Sequence, residues 1–207
     1  MPAVIGDVAA IASQLIESRG LPVDAGAGAG LVLWITGLSG AGKSTVCGIL
    51  ERAFHDAGLP VAVLDGDVLR ALFAVDAGHG RDHRRRLALS YGQLCREIAR
   101  RGVHVLCATI SMFHEVHDWN RANIERYVEV YLRVPVDELR RRDPKGLYAK
   151  ADAGEIADMV GVHFPAEEPR NADLVLDHAD GRTPAETARA IWDFVCGRPG
   201  LRPASGA

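Results

Sequence analysis

The chain has 207 residues, 48% of them hydrophobic and 25% charged, the balance of an ordinary globular protein and a length that suits one domain with a sizeable core. A net charge of −3 leaves no global basic field to draw nucleic acid. No apolar run approaches the roughly 18 residues of a membrane span, and no basic stretch precedes an apolar one at the N-terminus as in a secretory leader, so a cytoplasmic chain with neither nucleic acid nor membrane as partner is expected.

In chain order, residues 3–19 read as a short amphipathic helix, and the Ala-Gly repeats at 25–30 as a flexible link. Residues 1–30 are thus set apart from a domain over 31–196, and the Gly- and Pro-rich tail over 197–207 reads as disordered. Short apolar runs at 31–36, 60–64, 104–110, 128–134 and 172–176 predict strands buried on both faces. Helical stretches at 44–57, 81–101, 120–125 and 136–141 separate them, which implies an α/β fold with a parallel sheet and crossover helices. Trp34 and Trp192 read as core. Cys47, Cys95, Cys107 and Cys196 form no C-x-x-C pair and no zinc spacing; the first three lie in apolar surroundings and read as buried, reduced thiols. Ligands of such sheets bind outside the carboxyl ends of the strands.

Directly after the first predicted strand stands Gly37-Leu38-Ser39-Gly40-Ala41-Gly42-Lys43-Ser44-Thr45, which matches G-x-x-x-x-G-K-[ST]. The glycines let consecutive N–H groups turn towards phosphate oxygens, and the following helix points its positive end at the same anion. Lys43 is placed to reach the outer phosphates and the Ser44 hydroxyl to hold Mg²⁺. The motif says nucleoside triphosphate; it does not name the acceptor. The second strand ends in Leu64-Asp65-Gly66-Asp67. Beside a phosphate loop, one carboxylate can accept a hydroxyl proton and the other can serve Mg²⁺. The plainer reading is an Asp-Gly turn with Asp67 as a helix N-cap. Arg70, one turn on, suits an anionic acceptor. After the fourth strand, Arg140, Arg141, Arg142, Lys145 and Lys150 form a basic cluster that could fold as a lid over a triphosphate; two of the three arginines read instead as an exposed basic helix end.

The segments GLSGAGKST at 37–45, LDGDVLR at 64–70, Ile110-Ser111, RDPKGLYAKADAGEI at 142–156 and NADLVLD at 171–177 resemble the adenylylsulfate kinase family of P-loop kinases. The resemblance implies a P-loop NTPase three-layer sandwich with a five-stranded parallel sheet and a basic lid. It also implies transfer from ATP, with Mg²⁺, to the ribose 3′-hydroxyl of adenylylsulfate. Carried over by position, it puts Lys43, Asp65, Asp67 and Ser111 at the chemistry, and residues 37–45 with Arg142 at ATP. Arg70, Arg84, Ile110, Ser111, Lys145 and Leu147 fall at the acceptor, as does Asp67. Ser111 stands where the family is ascribed a phosphoserine, although direct in-line transfer to a hydroxyl needs no covalent step. Family members are commonly dimers, which makes a homodimer an option, with the 3–19 helix packed across its interface.

The departures from the family gather on the acceptor side. Two aromatic residues usually sandwich the acceptor's adenine; His79 and Met159 stand at those positions. The usual D-R-x-x-N becomes His83-Arg84-Arg85-Arg86-Leu87, and I-S-P-Y-R becomes Ile110-Ser111-Met112-Phe113-His114. The run from Thr109 to Glu115, Val160-Gly161-Val162 and Asn120-Arg121 are more similar to the cytidine diphosphoramidate kinases of the same family. Both acceptors stay open, adenylylsulfate ahead because most chains with RDPKGLY are of that kind. His114, His117 and Asp118 offer no third ligand of clear geometry, so no further metal is read there. A kinase of a non-nucleotide small molecule is disfavoured by RDPKGLY, and a nucleotide-binding regulator by the retained carboxylates. A nucleic-acid kinase is disfavoured by the acidic charge.

Overall fold

The computed structural model describes residues 7–22, 28–73, 80–157, 159–178 and 181–198. Its strands are β1 (Val32–Thr36), β2 (Val61–Asp65), β3 (His104–Thr109), β4 (Tyr127–Arg133) and β5 (Leu174–Asp177). They pair in the order β2-β3-β1-β4-β5, each neighbouring pair parallel. The helices are α1 (Val8–Ser18), α2 (Lys43–Asp56), α3 (Gly66–Leu72), α4 (Arg81–Ala99), α5 (His114–Asn123), α6 (Val136–Arg142), α7 (Leu147–Asp152) and α8 (Pro184–Cys196).

The central strand shows why three layers form. Side chains alternate across a strand, so Leu33 and Ile35 enter the core shared with α2 and α8, whereas Val32 and Trp34 enter the core shared with α1 and α4. Every residue of β1 and β3 is buried. Trp34 is fully enclosed, and Trp192 of α8 meets Phe54 of α2 edge to face at 5.2 Å. Cys47, Cys95 and Cys107 are buried free thiols. No helix among the described residues is long and apolar enough to cross a membrane.

One expectation changes. The helix read over 120–125 is α5, which begins at His114 and ends before Ile124. The charge-rich run at its start hides the inward face made by Val116, His117 and Asn120, and Ile124 is extended (φ −107°, ψ 116°). The N-terminal helix packs on its own chain: Val8, Ala12, Leu15 and Ile16 join the core with α4, and Arg101 donates to the Ser13 hydroxyl at 3.0 Å. Burying Val8, Leu15 and Ile16 contributes about 1.5–3 kcal/mol each, which ties α1 to the domain. Residues 3–6, 25–27 and 199–207 of the predicted terminal segments lie outside the described residues.

Candidate active site

The carboxyl ends of β1, β2 and β3 open into a cleft of about 950 Å³, at the upper end of the roughly 300–1,000 Å³ usual for ligand pockets. One end of it is the loop between β1 and α2. Gly37 has φ +150°, and a Cβ there would stand 2.6 Å from the Leu132 carbonyl oxygen, so only glycine fits. Gly42 (φ +90°) begins α2 with no side-chain cap, which leaves the first N–H groups of the helix for a ligand. Ser39, Gly40, Ser44 and Thr45 line the cleft, while Leu38 and Ala41 turn into the core.

Lys43 Nζ donates to the carbonyl oxygens of Gly37 and Leu38, both at 2.8 Å. Burial brings its ammonium down to about 8, the Cys47 thiol opposing this slightly and Lys145 adding to it. A lysine held in this way is poised for an anion that would restore its charge. The oxygen donors of Ser44 and Asp65, lining one cleft, are of the kind a hard divalent cation takes.

Asp65 ends β2, and its Oδ1 accepts from Val68 N at 2.9 Å. The capping role read for Asp67 therefore falls to Asp65, because the helix starts at Gly66. Asp67 lies in the first turn of α3, with its side chain outside the described residues. Arg70 and Arg84 reach the cleft from α3 and α4, and Ile110 and Ser111 from the end of β3. Ser111 has φ +24°, in the left-handed region.

Lys145 and Leu147 complete the wall from the α6–α7 segment. Asp143 starts that turn by accepting from Tyr148 N (3.1 Å) and Ala149 N (2.9 Å), bonds that hold its carboxyl below the usual range. The Tyr148 hydroxyl donates to the Ser39 carbonyl oxygen at 3.0 Å, which fastens the basic segment to the phosphate loop. The arginines of α6 are in ion pairs: Arg140 with Asp152, Arg141 and Arg142 with Glu138. Arg142 also donates to the His178 ring, and it is not among the residues lining the cleft.

On the acceptor side, His79 is outside the described residues. Met159 does not line the cleft; its side chain is 8% exposed and joins the core, and Val160 and Phe164 form the wall instead. Glu167 also lines it, paired with Arg81 of α4 and accepting from the His114 amide at 2.7 Å. Sequence reasoning assigned no role to Glu167 or Tyr148; RDPKGLY contains the tyrosine, but nothing local marks the glutamate.

The family model for adenylylsulphate kinase matches residues 29–177. The adenylyl-sulfate kinase of Shewanella sp. (strain MR-7) is 40% identical over 167 residues, 80% of this chain and 81% of that one. That of Rippkaea orientalis is 37% identical over 79% of this chain and 90% of its own. Among solved structures, the Mycobacterium tuberculosis APS kinase CysC in complex with AMPPNP and APS superposes with a TM-score of 0.75 at 36% identity, covering 81% of this chain and 98% of that one. With the glycine-cradled loop, the two-sided cleft and these relatives in agreement, the chain belongs to the adenylylsulphate kinase family.

Proposed function

We propose that the protein transfers the γ-phosphate of ATP to the ribose 3′-hydroxyl of adenylylsulfate, giving 3′-phosphoadenylylsulfate. The observation that carries this is one continuous cleft with a phosphate loop at one end and the acceptor-side cations Arg70 and Arg84 elsewhere along it, in a chain of this family. The loop amides and Lys43 bind the triphosphate. Ser44 would hold Mg²⁺, which would supply charge neutralisation for the triphosphate. Asp67, with Asp65 two residues before it, takes the proton of the attacking hydroxyl. Arg70 and Arg84 orient the acceptor's anionic groups, Ile110 and Ser111 support it, and Lys145 and Leu147 close over both ligands so that water does not compete. Nothing in this scheme requires a phosphoserine at Ser111, because a single in-line displacement moves the phosphoryl group directly.

The relatives described above are adenylyl-sulfate kinases, and the cytidine alternative draws no support from them. The test is acceptor-dependent ADP release with Mg²⁺-ATP, run on adenylylsulfate beside cytidine diphosphoramidate. Turnover on adenylylsulfate is expected, and preference for the cytidine compound would overturn the substrate assignment. A homodimer belongs to the same reading; light scattering on the eluted protein tests it.

A further inference from the structure

Behind the acceptor wall, a line of buried polar groups runs from Ser111 to side chains with no part in the scheme above. Ser111 holds a left-handed conformation that non-glycine residues adopt only where the surroundings enforce it. The Thr36 hydroxyl donates to the Ile110 carbonyl at 2.6 Å, and the hydroxyls of Thr109 and Ser111 bond at 2.6 Å. The Ser111 carbonyl accepts from Phe113 N at 3.0 Å and faces His117 Nε2 at 3.1 Å.

His117, 5% exposed on α5, turns its other nitrogen to Glu129 Oε1 at 3.0 Å, and Glu129 on β4 is 1% exposed. Arg121 reaches Glu129 Oε2 at 3.3 Å and also holds Asp173, whose carboxylate accepts from Glu129 N at 2.8 Å. The 3.0 Å between His117 Nδ1 and Glu129 Oε1 is an ion-pair contact, and neither atom makes a hydrogen bond to any described residue. Leaving both buried atoms bare at this separation is costly, and a proton shared between them removes that cost. Nε2 then carries its own hydrogen and donates to Ser111. Burial pushes the Glu129 carboxyl up, against Arg121, and brings the His117 ring down to about 4. Both directions suit a neutral ring that accepts from a protonated carboxyl.

We propose that His117 and Glu129 are positioning residues for the acceptor: the proton shared by Nδ1 and Oε1 fixes the Nε2–H tautomer, which clamps the Ser111 carbonyl and sets the Ile110-Ser111 wall. The inference rests on the kinase reading for its kinetic consequence and on the geometry for its tautomer.

Steady-state kinetics on Glu129→Leu and Glu129→Gln separate this from a merely structural role. Leucine leaves Nδ1 unpaired and frees the ring to change tautomer, so the acceptor KM should rise about tenfold while the ATP KM stays within about twofold. The glutamine amide can donate to Nδ1 and should restore the acceptor KM. Equal losses for ATP and acceptor in Glu129→Leu, or no rescue by glutamine, would overturn the proposal. Should the leucine variant not fold, His117→Gln (which keeps a donor for Ser111) against His117→Leu makes the same comparison. The ¹⁵N shifts of the His117 imidazole in the unaltered protein give a readout that needs no turnover. Protonated Nε2 is expected; an Nδ1–H ring with bare Nε2 would sink the idea. If adenylylsulfate were not phosphorylated at all, the functional reading would fail and the tautomer would still decide the clamp.

Discussion

Two helix-interior glycines offer the same local gain and opposite tertiary outcomes. Glycine to alanine inside a helix is worth about 0.8–1.0 kcal/mol from propensity alone. At Gly48 of α2 a Cβ would meet nothing within 4 Å, so Gly48→Ala should realise that gain. At Gly92 of α4 the Cβ would stand 2.1 Å from Asn120 Oδ1 and 3.3 Å from Trp119 Cζ3, both on α5. Asn120 is fully buried and cannot swing aside, so α5 must move. Overpacking of this kind costs about 1–3 kcal/mol, which exceeds the propensity gain and leaves a net loss of roughly 1 kcal/mol. The two variants should therefore differ by about 2 kcal/mol. Thermal unfolding followed by circular dichroism should show Gly48→Ala above the unaltered protein and Gly92→Ala below it, the two separated by about 4–8 °C at 2–4 °C per kcal/mol. A parallel rise of both melting temperatures would refute the close α4–α5 packing, and with it the placement of His117 that depends on α5.

Lys43→Ala should lower turnover about 100-fold or more without a change in circular dichroism, since on the proposed reading it removes the charge that meets the transferred phosphoryl group. Asp67→Asn should reduce kcat far more than nucleotide affinity, and full turnover by this variant would remove Asp67 from the chemistry. Tyr148→Phe leaves the Ser39 carbonyl without its donor at a cost of about 1–3 kcal/mol; a lower melting temperature and a raised ATP KM are expected, and neither changing would detach α7 from the phosphate loop. His104 is 5% exposed and accepts from Leu31 N at 2.9 Å, and burial, with Arg126 second, brings its ring from 6.5 to about 4. The unfolded chain takes up this proton below pH 6.5 and the folded chain only near pH 4, so the contribution is complete above pH 6.5 and is lost as pH falls. Urea unfolding should show about 2 kcal/mol less stability from this residue at pH 5 than at pH 7. His104→Asn, which keeps an acceptor for Leu31, should flatten the pH dependence by that amount, and an unchanged dependence would exclude His104 as its source.

The strands were legible because a parallel sheet buried on both faces demands continuous apolar runs, and the observed β1 to β4 lie within about a residue of the runs in the sequence. The phosphate loop was legible because its chemistry needs glycines and a lysine at fixed spacing within nine consecutive residues. Helix α5 was misplaced because its inward face mixes Val116 with His117 and Asn120, polar groups that are buried only because Glu129, Tyr127 and the Ser111 carbonyl meet them. Met159 was assigned to the cleft by position in a family pattern, while packing turned it into the core.

The amino-acid sequence by itself determined the α/β class, the five strands, the nucleotide loop and the family, since each is written in local runs whose spacing follows from strand pleat, helix pitch or phosphate geometry. Only the tertiary structure decided which groups share the acceptor wall. Arg81 and Glu167 are 86 residues apart, and His114 and Glu167 are 53 apart. The strand order β2-β3-β1-β4-β5 brings β4 beside β1, so that Glu129 faces a histidine in the loop-proximal helix after β3. Side chains that meet through a crossover leave no periodic trace in the chain, because their spacing is set by how the sheet is ordered and not by any local conformational preference.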